Sequence, residues 1–294
     1  MRKINLVING RKYFLSGREH ELLTEVALLS ASERRYENFT LYAQRPGFLT
    51  SEELKLLKSR RGKWKNVKIW SEKFVNEDQL EDLLRCVNEN VENLEFKNIS
   101  FIETNKKMKT EKKISCAKLR TLSLCNVIND RWYFNSLYRC DRLEILEVEN
   151  VDDDSLIDFL RNLKSLKRLS IASAKWNDDF FQKLSKLSSL KLGEFKIKAR
   201  TSHFPVNQTG LKRFLESQAE NMTKVTFDVP LNNEVRQTIF NFPNLNILWL
   251  IVLWGRDLLM TSLHVESSFV SKIILNNHQP WSQHSRSSKS FVSC

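Results

Sequence analysis

Asp152, Asp153 and Asp154 stand in a row, and three carboxylates so close can ligate a divalent cation. The same residues have a simpler use. They precede a run in which Leu156, Phe159, Leu160 and Leu163 fall at i, i+3, i+4 and i+7, one face of a helix. Acidic side chains at a helix start accept its unpaired backbone N–H groups and meet the positive end of its dipole. The spacing therefore favours a cap over a metal site. The five histidines (His20, His203, His264, His278 and His284) are scattered, and the last two fall in a polar tail. The five cysteines are Cys86, Cys116, Cys125, Cys140 and Cys294, and no two form CxxC. None has a histidine or basic partner at a spacing that would make it a nucleophile. The phosphate-loop pattern GxxxxGKS or GxxxxGKT, GxGxxG and HExxH are all absent. The chain is expected not to be an enzyme, and to use no cofactor and no metal.

What remains points to binding by a folded chain. Its composition is 41% hydrophobic and 28% charged, enough for a core, with only 7 glycines and 5 prolines. The net charge of +12 permits acidic protein, nucleic acid or membrane surfaces as partners and selects none. "NKKMKTEKK", Asn105 to Lys113, is either a solvated loop or a contact for an acidic partner. Nucleic acid is the weaker reading, because no aromatic interleaves the lysines as a stacking platform. The most apolar stretch, "ILWLIVLW" from Ile247, has eight residues. A membrane span needs about 20, so this is a buried strand and no membrane partner is expected. The odd cysteine count and an N-terminus without an h-region place the chain in the cytoplasm or nucleus. The four N-x-S/T sequons, at Asn38, Asn98, Asn207 and Asn221, then read as chance matches.

One phrase, apolar-x-x-apolar-x-apolar, must position any binding side chains. It begins at Met1, Tyr36, Trp64, Val91, Leu119, Leu143, Leu166, Leu187, Met222, Leu245 and Val270. Most starts lie roughly 21 to 28 residues apart, and the gaps after Met1 and Leu187 are 35. Leucine-rich repeats have about 20–29 residues each. Between phrases lie amphipathic runs such as "NEDQLEDLLRCV", "DDDSLIDFLRNL" and "NDDFFQKLSKL", each opened by a capping residue; "LTSEELKLL" is another. Each unit is expected to be a strand, a turn and a helix. About six buried apolar side chains, at about 1.5–3 kcal/mol each, cannot offset the ordering of about 25 backbones at about 1–2 kcal/mol apiece. The units must stack. The expected fold is an α/β leucine-rich-repeat solenoid, a horseshoe with parallel strands on the concave face and helices on the convex face. The domain would span 1–275 as about eleven irregular repeats, followed by a disordered polar tail, 276–294.

Period-two alternation points the third, fifth and seventh residues of each phrase to the concave face. The partner-binding candidates there are Tyr42, Lys68, Trp70, Glu95, Lys97, Glu147 and Glu149. Tyr42, Lys68 and Trp70 form an aromatic–basic cluster of the kind that anchors interfaces. Packing of Trp70 against a neighbouring strand fits its position equally well. Lys191 and Gly193 fall on the same face by this frame, and Trp249 and Ile251 read as covered by the C-terminal segment. The ninth position holds Asn9 and then Ile99, Val127, Val151, Ala174 and Phe195, so an asparagine ladder is expected to be mostly absent.

The N-terminal third resembles a known family. "INLVING", the helical run "REHELLTEVALLSASER" and then "RRYENFTL" resemble the segment after the F-box in arthropod-type F-box/LRR proteins. There a strand and helix lead into an "(R)RYxNLTL" repeat, matched here by Arg35, Tyr36, Asn38, Phe39, Thr40 and Leu41. The resemblance implies the substrate-recognition part of a cullin–RING ubiquitin ligase. The F-box itself is missing, so the ligase adaptor is expected to bind only if an F-box is supplied. The strand carrying Ile4 and Leu6 is then expected to present an uncovered apolar edge. A stand-alone repeat scaffold or inhibitor, with no ligase link, is the alternative.

Overall fold

Most of these phrases fold as a strand with two unlike faces. The computed structural model describes residues 2–8, 11–17, 36–43, 64–71, 74–76, 90–98, 100–102, 114–127, 137–138, 140–173, 177–199, 207–252 and 272–277. The helical runs expected at 18–34, 49–57 and 77–87, the insertion 105–113 and the tail beyond Asn277 lie outside them. In chain order the strands are β1 (Arg2–Ile8), β2 (Arg11–Gly17), β3 (Tyr36–Ala43), β4 (Asn66–Ser71), β5 (Phe74–Asn76), β6 (Asn93–Lys97), β7 (Ser100–Ile102) and β8 (Ile114–Ser115). They continue as β9 (Thr121–Cys125), β10 (Leu137–Tyr138), β11 (Ile145–Glu149), β12 (Arg168–Ser173), β13 (Glu194–Ala199), β14 (Lys224–Asp228), β15 (Ile247–Val252) and β16 (Lys272–Asn277). The helices among the described residues are α1 (Asp153–Leu160), α2 (Asp178–Ser185), α3 (Thr209–Gln218) and α4 (Asn233–Phe240).

Twelve strands form one sheet, in the order β16-β15-β14-β13-β12-β11-β9-β6-β4-β3-β1-β2. From β3 to β16 every neighbouring pair is parallel, and the order follows the chain. Wherever burial is described from Trp64 to Leu248, residues four and six of the strand-forming phrases are buried, as with Leu146 and Val148 in β11 or Val225 and Phe227 in β14. They share one apolar cluster with Leu156 and Leu160 of α1, Leu184 of α2, Phe214 of α3 and Val235 of α4. The helices therefore cover the face that carries the leucines, giving a two-layer α/β fold. Within that core Phe195 meets Phe214 and Phe227 edge-on, at 4.9 and 6.1 Å between centroids.

A backbone device fixes the unit boundary. The carbonyl of the second residue of a phrase accepts from the N–H groups of the second and third residues of the next. Lys65 takes Glu92 and Asn93, Glu92 takes Arg120 and Thr121, and the pattern continues through Thr223, which takes Asn246 and Ile247, at 2.8–3.1 Å. This device corrects the frame at Leu187. Gly193 and Glu194 donate to Lys167, so the strand-forming phrase is "LGEFKI", beginning at Leu192, with Leu192, Phe195 and Ile197 buried. Leu187 cannot open a strand because it continues the apolar face of α2, its N–H donating to Leu184 O at 3.1 Å.

Two further expectations are corrected. The strand read from "MRKINL" is not parallel to its neighbours: β1 runs antiparallel to β3 and to β2, which pairs with it along its whole length. Its far edge is thus covered by β2. The signal was Asn9-Gly10 between two alternating runs, the sequence of a tight hairpin. An asparagine ladder also exists, one position earlier than expected. Asn98, Asn126 and Asn150 hold the left-handed conformation (φ 57°, 53° and 53°) that asparagine tolerates. Asn126 Nδ2 donates to Asn98 Oδ1 and Asn150 Nδ2 to Asn126 Oδ1, each at 2.9 Å. The ninth residue, Val127, is buried instead.

The helices are tied to each other by their caps. Asp152 caps α1 through Ser155 N at 3.0 Å, Asn177 caps α2 through Asp179 N, and Asn232 caps α4 through Val235 N. The residue before α3, Gln208, makes no such bond. The carboxylate of Asp178, at the start of α2, accepts from Gly210 N at 2.8 and 2.9 Å instead. A Cβ on Gly210 would meet Asp178 O at 2.4 Å, so only glycine lets the two helices close to this distance. Replacing Gly210 by alanine should cost about 1–3 kcal/mol through overpacking. Asp178→Ala should cost about 1–2 kcal/mol through the lost cap. Urea unfolding of the two variants measures this, and unchanged midpoints would contradict it.

Candidate partner-binding face

The sheet face opposite the helices carries the third, fifth and seventh residues of the phrases in rows. Register sets Tyr42 beside Trp70, and Trp70 beside Lys97. The row then runs Cys125, Glu149, Ala172, Lys198 and Asp228. A parallel row holds Lys68, Glu95, Ser123, Glu147, Ser170, Lys196 and Thr226. Register thus places Tyr42, Lys68, Trp70, Glu95, Lys97, Glu147 and Glu149 in these two rows. The side-chain contacts of Tyr42 and Trp70 lie outside the described residues.

The structure adds pairings that spacing alone did not show. Lys68 Nζ lies 2.6 Å from Glu95 Oε2, with side chains 49% and 22% exposed. Arg168 reaches Glu147 at 3.5 Å and Glu194 at 3.7 Å, and Lys224 reaches Glu194 at 3.5 Å. Such half-exposed pairs contribute about 0–1 kcal/mol each. They orient side chains more than they hold the fold. Ser123, 8% exposed, and the half-buried Ser170 and Ala172 set short side chains beside the Glu147–Glu149 strand. The result is an acidic strip on β11 and a basic strip on β13, with a floor of small residues on β12 between them.

The frame error at Leu187 hid the basic strip. Lys191 is exposed in the turn, and the residues on this face are Glu194, Lys196 and Lys198. Reading "LGEFKI" as the phrase would have found them. Trp249 is half-buried, in register with Ile274 of the C-terminal strand β16.

The other candidates for chemistry have structural partners. Asp152 accepts from both the backbone N and the hydroxyl of Ser155. Asp154 and Asp179 flank Lys183 at 2.9 and 3.1 Å, and these hydrogen bonds hold its ammonium above the ordinary lysine range. Among the described residues no group of three or more His, Cys, Asp or Glu is arranged to hold a metal ion. No described helix is long and apolar enough to cross a membrane. Cys116 and Cys140 are buried cysteines, neither in a disulfide, three residues ahead of Leu119 and Leu143. A hydrogen bond with Cys116, then burial, pushes the Cys140 thiol far above the usual range. Its nucleophilic thiolate is therefore suppressed at neutral pH.

The ladder asparagines border this face at the end of β6, β9 and β11. Asn126→Ala should cost about 1–2 kcal/mol, because alanine is strained at its positive φ and both amide links are lost. Asn126→Gly relieves the strain and should cost less. Equal losses in thermal unfolding would assign the effect to the side chain alone. No family model matches the chain, and no curated protein matches it.

Proposed function

We propose that the chain is a leucine-rich-repeat solenoid whose open sheet face binds another protein, with no catalysis of its own. The repeat reading is supported by a parallel order that follows the chain without reversal from β3 to β16 and by the described helices, which pack on one face. A doubly wound sheet reverses its order at a switch point and places helices on both faces. Binding is carried by one observation above all. A continuous sheet face carries half-exposed, mixed-charge side chains that the fold does not use for its core. Side chains on a rigid sheet lose little freedom on binding, which favours affinity.

The resemblance to F-box/LRR proteins extends the proposal to substrate recognition in a cullin–RING ubiquitin ligase, with the adaptor engaged through an F-box segment. Cross-linking capture tests the binding claim, using the purified chain with a photoreactive residue in place of Ser123. The same proteins should be captured in repeated trials. They should be lost on Ser170→Arg, which fills the floor of the open face, and kept on Glu216→Arg, on the exposed side of α3. Capture that ignores Ser170→Arg, or falls equally with both, would overturn the reading. Adaptor binding on fusion to an F-box, with capture unchanged, supports the ligase role; no adaptor binding by the fusion would favour the stand-alone scaffold.

A further inference from the structure

Lys196 and Lys198 project from the same face of β13, two residues apart, close enough that each positive charge disfavours the other. None of the ion pairs among the described residues includes either one. The nearby carboxylates are engaged. Glu194 is shared by Arg168 and Lys224, Glu147 is taken by Arg168, and Asp228, in register with Lys198, has an interaction of its own. The register neighbours of Lys196 are the short hydroxyl side chains Ser170 and Thr226. Two like charges on one strand face of a partly buried surface repel each other until an anion lies between them.

We propose that Lys196 and Lys198 form the seat for a carboxylate of an acidic segment of the bound protein. The inference rests on the open face being the partner surface. A single carboxylate accepts from both ammoniums, and the hydroxyls of Ser170 and Thr226 lie within the same strip. The occupant is a peptide and not a polyanion. Glu147 and Glu149 stand two strands away, about 10 Å, and would repel a continuous phosphate backbone while attracting a basic side chain of the same segment.

Burial, and then the positive charges of Lys198 and Arg168, lower the pKa of Lys196, and only Glu147 opposes them. The groups facing it are Glu147 on β11, Arg168 on β12, Glu194 and Lys198 on β13, and Lys224 and Asp228 on β14. A bound carboxylate restores the missing negative charge and raises this pKa. Binding should therefore take up protons, and should weaken as pH rises through the lowered pKa of the free protein.

The test uses the full chain and a fluorescein-labelled decapeptide of alternating Glu and Gly, in low salt, followed by anisotropy. Lys196→Ala/Lys198→Ala should weaken binding at least tenfold. Lys186→Ala/Lys191→Ala, which removes the same charge from exposed turns, should change it less than twofold. Lys196→Arg/Lys198→Arg should retain most of it. In the unsubstituted chain, the Lys196 amine, followed by NMR after reductive methylation with labelled formaldehyde, should titrate at higher pH when the peptide is saturating. No peptide binding, equal losses in the two alanine pairs, or an unmoved Lys196 titration would overturn the proposal. So would displacement of the peptide by inorganic phosphate or a DNA duplex at lower concentration than by free glutamate peptide. If this test fails while Ser170→Arg still abolishes partner capture, the open face stands as the interface and only the acidic seat is lost.

Discussion

Everything in this molecule depends on one backbone constraint. From Lys65 to Thr223, the carbonyl at the second position of a unit holds two N–H groups of the next, and so sets where the next strand must begin. Once the start is fixed, the fourth and sixth residues face the helices and the third, fifth and seventh face away. A slip of one residue would exchange the two sets and bury Glu147, Lys196 and their neighbours. The constraint acts only on the strand and its turn. Steps between successive second-position residues range from 23, between Glu144 and Lys167, to 30, between Gly193 and Thr223. The segments between strands absorb the difference, and each described helix solves its own capping problem: α1, α2 and α4 with local side chains, α3 by borrowing Asp178.

The two faces of the sheet obey different energetics. Leucines and phenylalanines on one face contribute about 1.5–3 kcal/mol each on burial. The ion pairs on the other contribute about 0–1 kcal/mol each. The fold is therefore insensitive to which charges occupy the open face. That freedom lets like charges such as Lys196 and Lys198 share one strand face, an arrangement that a stability requirement alone would not favour.

The parallel strands, their period and the alternation of their faces were legible in the sequence because burial imposes a pattern on every unit. Where two patterns overlapped, the reading slipped. "LSSLKL" and "LGEFKI" both match the phrase, and only the need of α2 for Leu187 decides between them. The hairpin of β1 and β2 was written in Asn9-Gly10, a local turn signal set against a strong global period. The ladder was missed by one place because Val127 is buried where asparagine was sought, while the chain turns one residue earlier at Asn126. The cap that Asp178 gives α3 had no sequence signal, since its partner Gly210 lies 32 residues away.

Amide hydrogen exchange of the full chain tests the backbone constraint most directly. The N–H groups of Glu144, Ile145, Lys167, Arg168, Gly193, Glu194, Thr223 and Lys224 should exchange as slowly as those within the neighbouring strands. Fast exchange at Gly193 and Glu194, while the adjoining strands remain protected, would contradict the account.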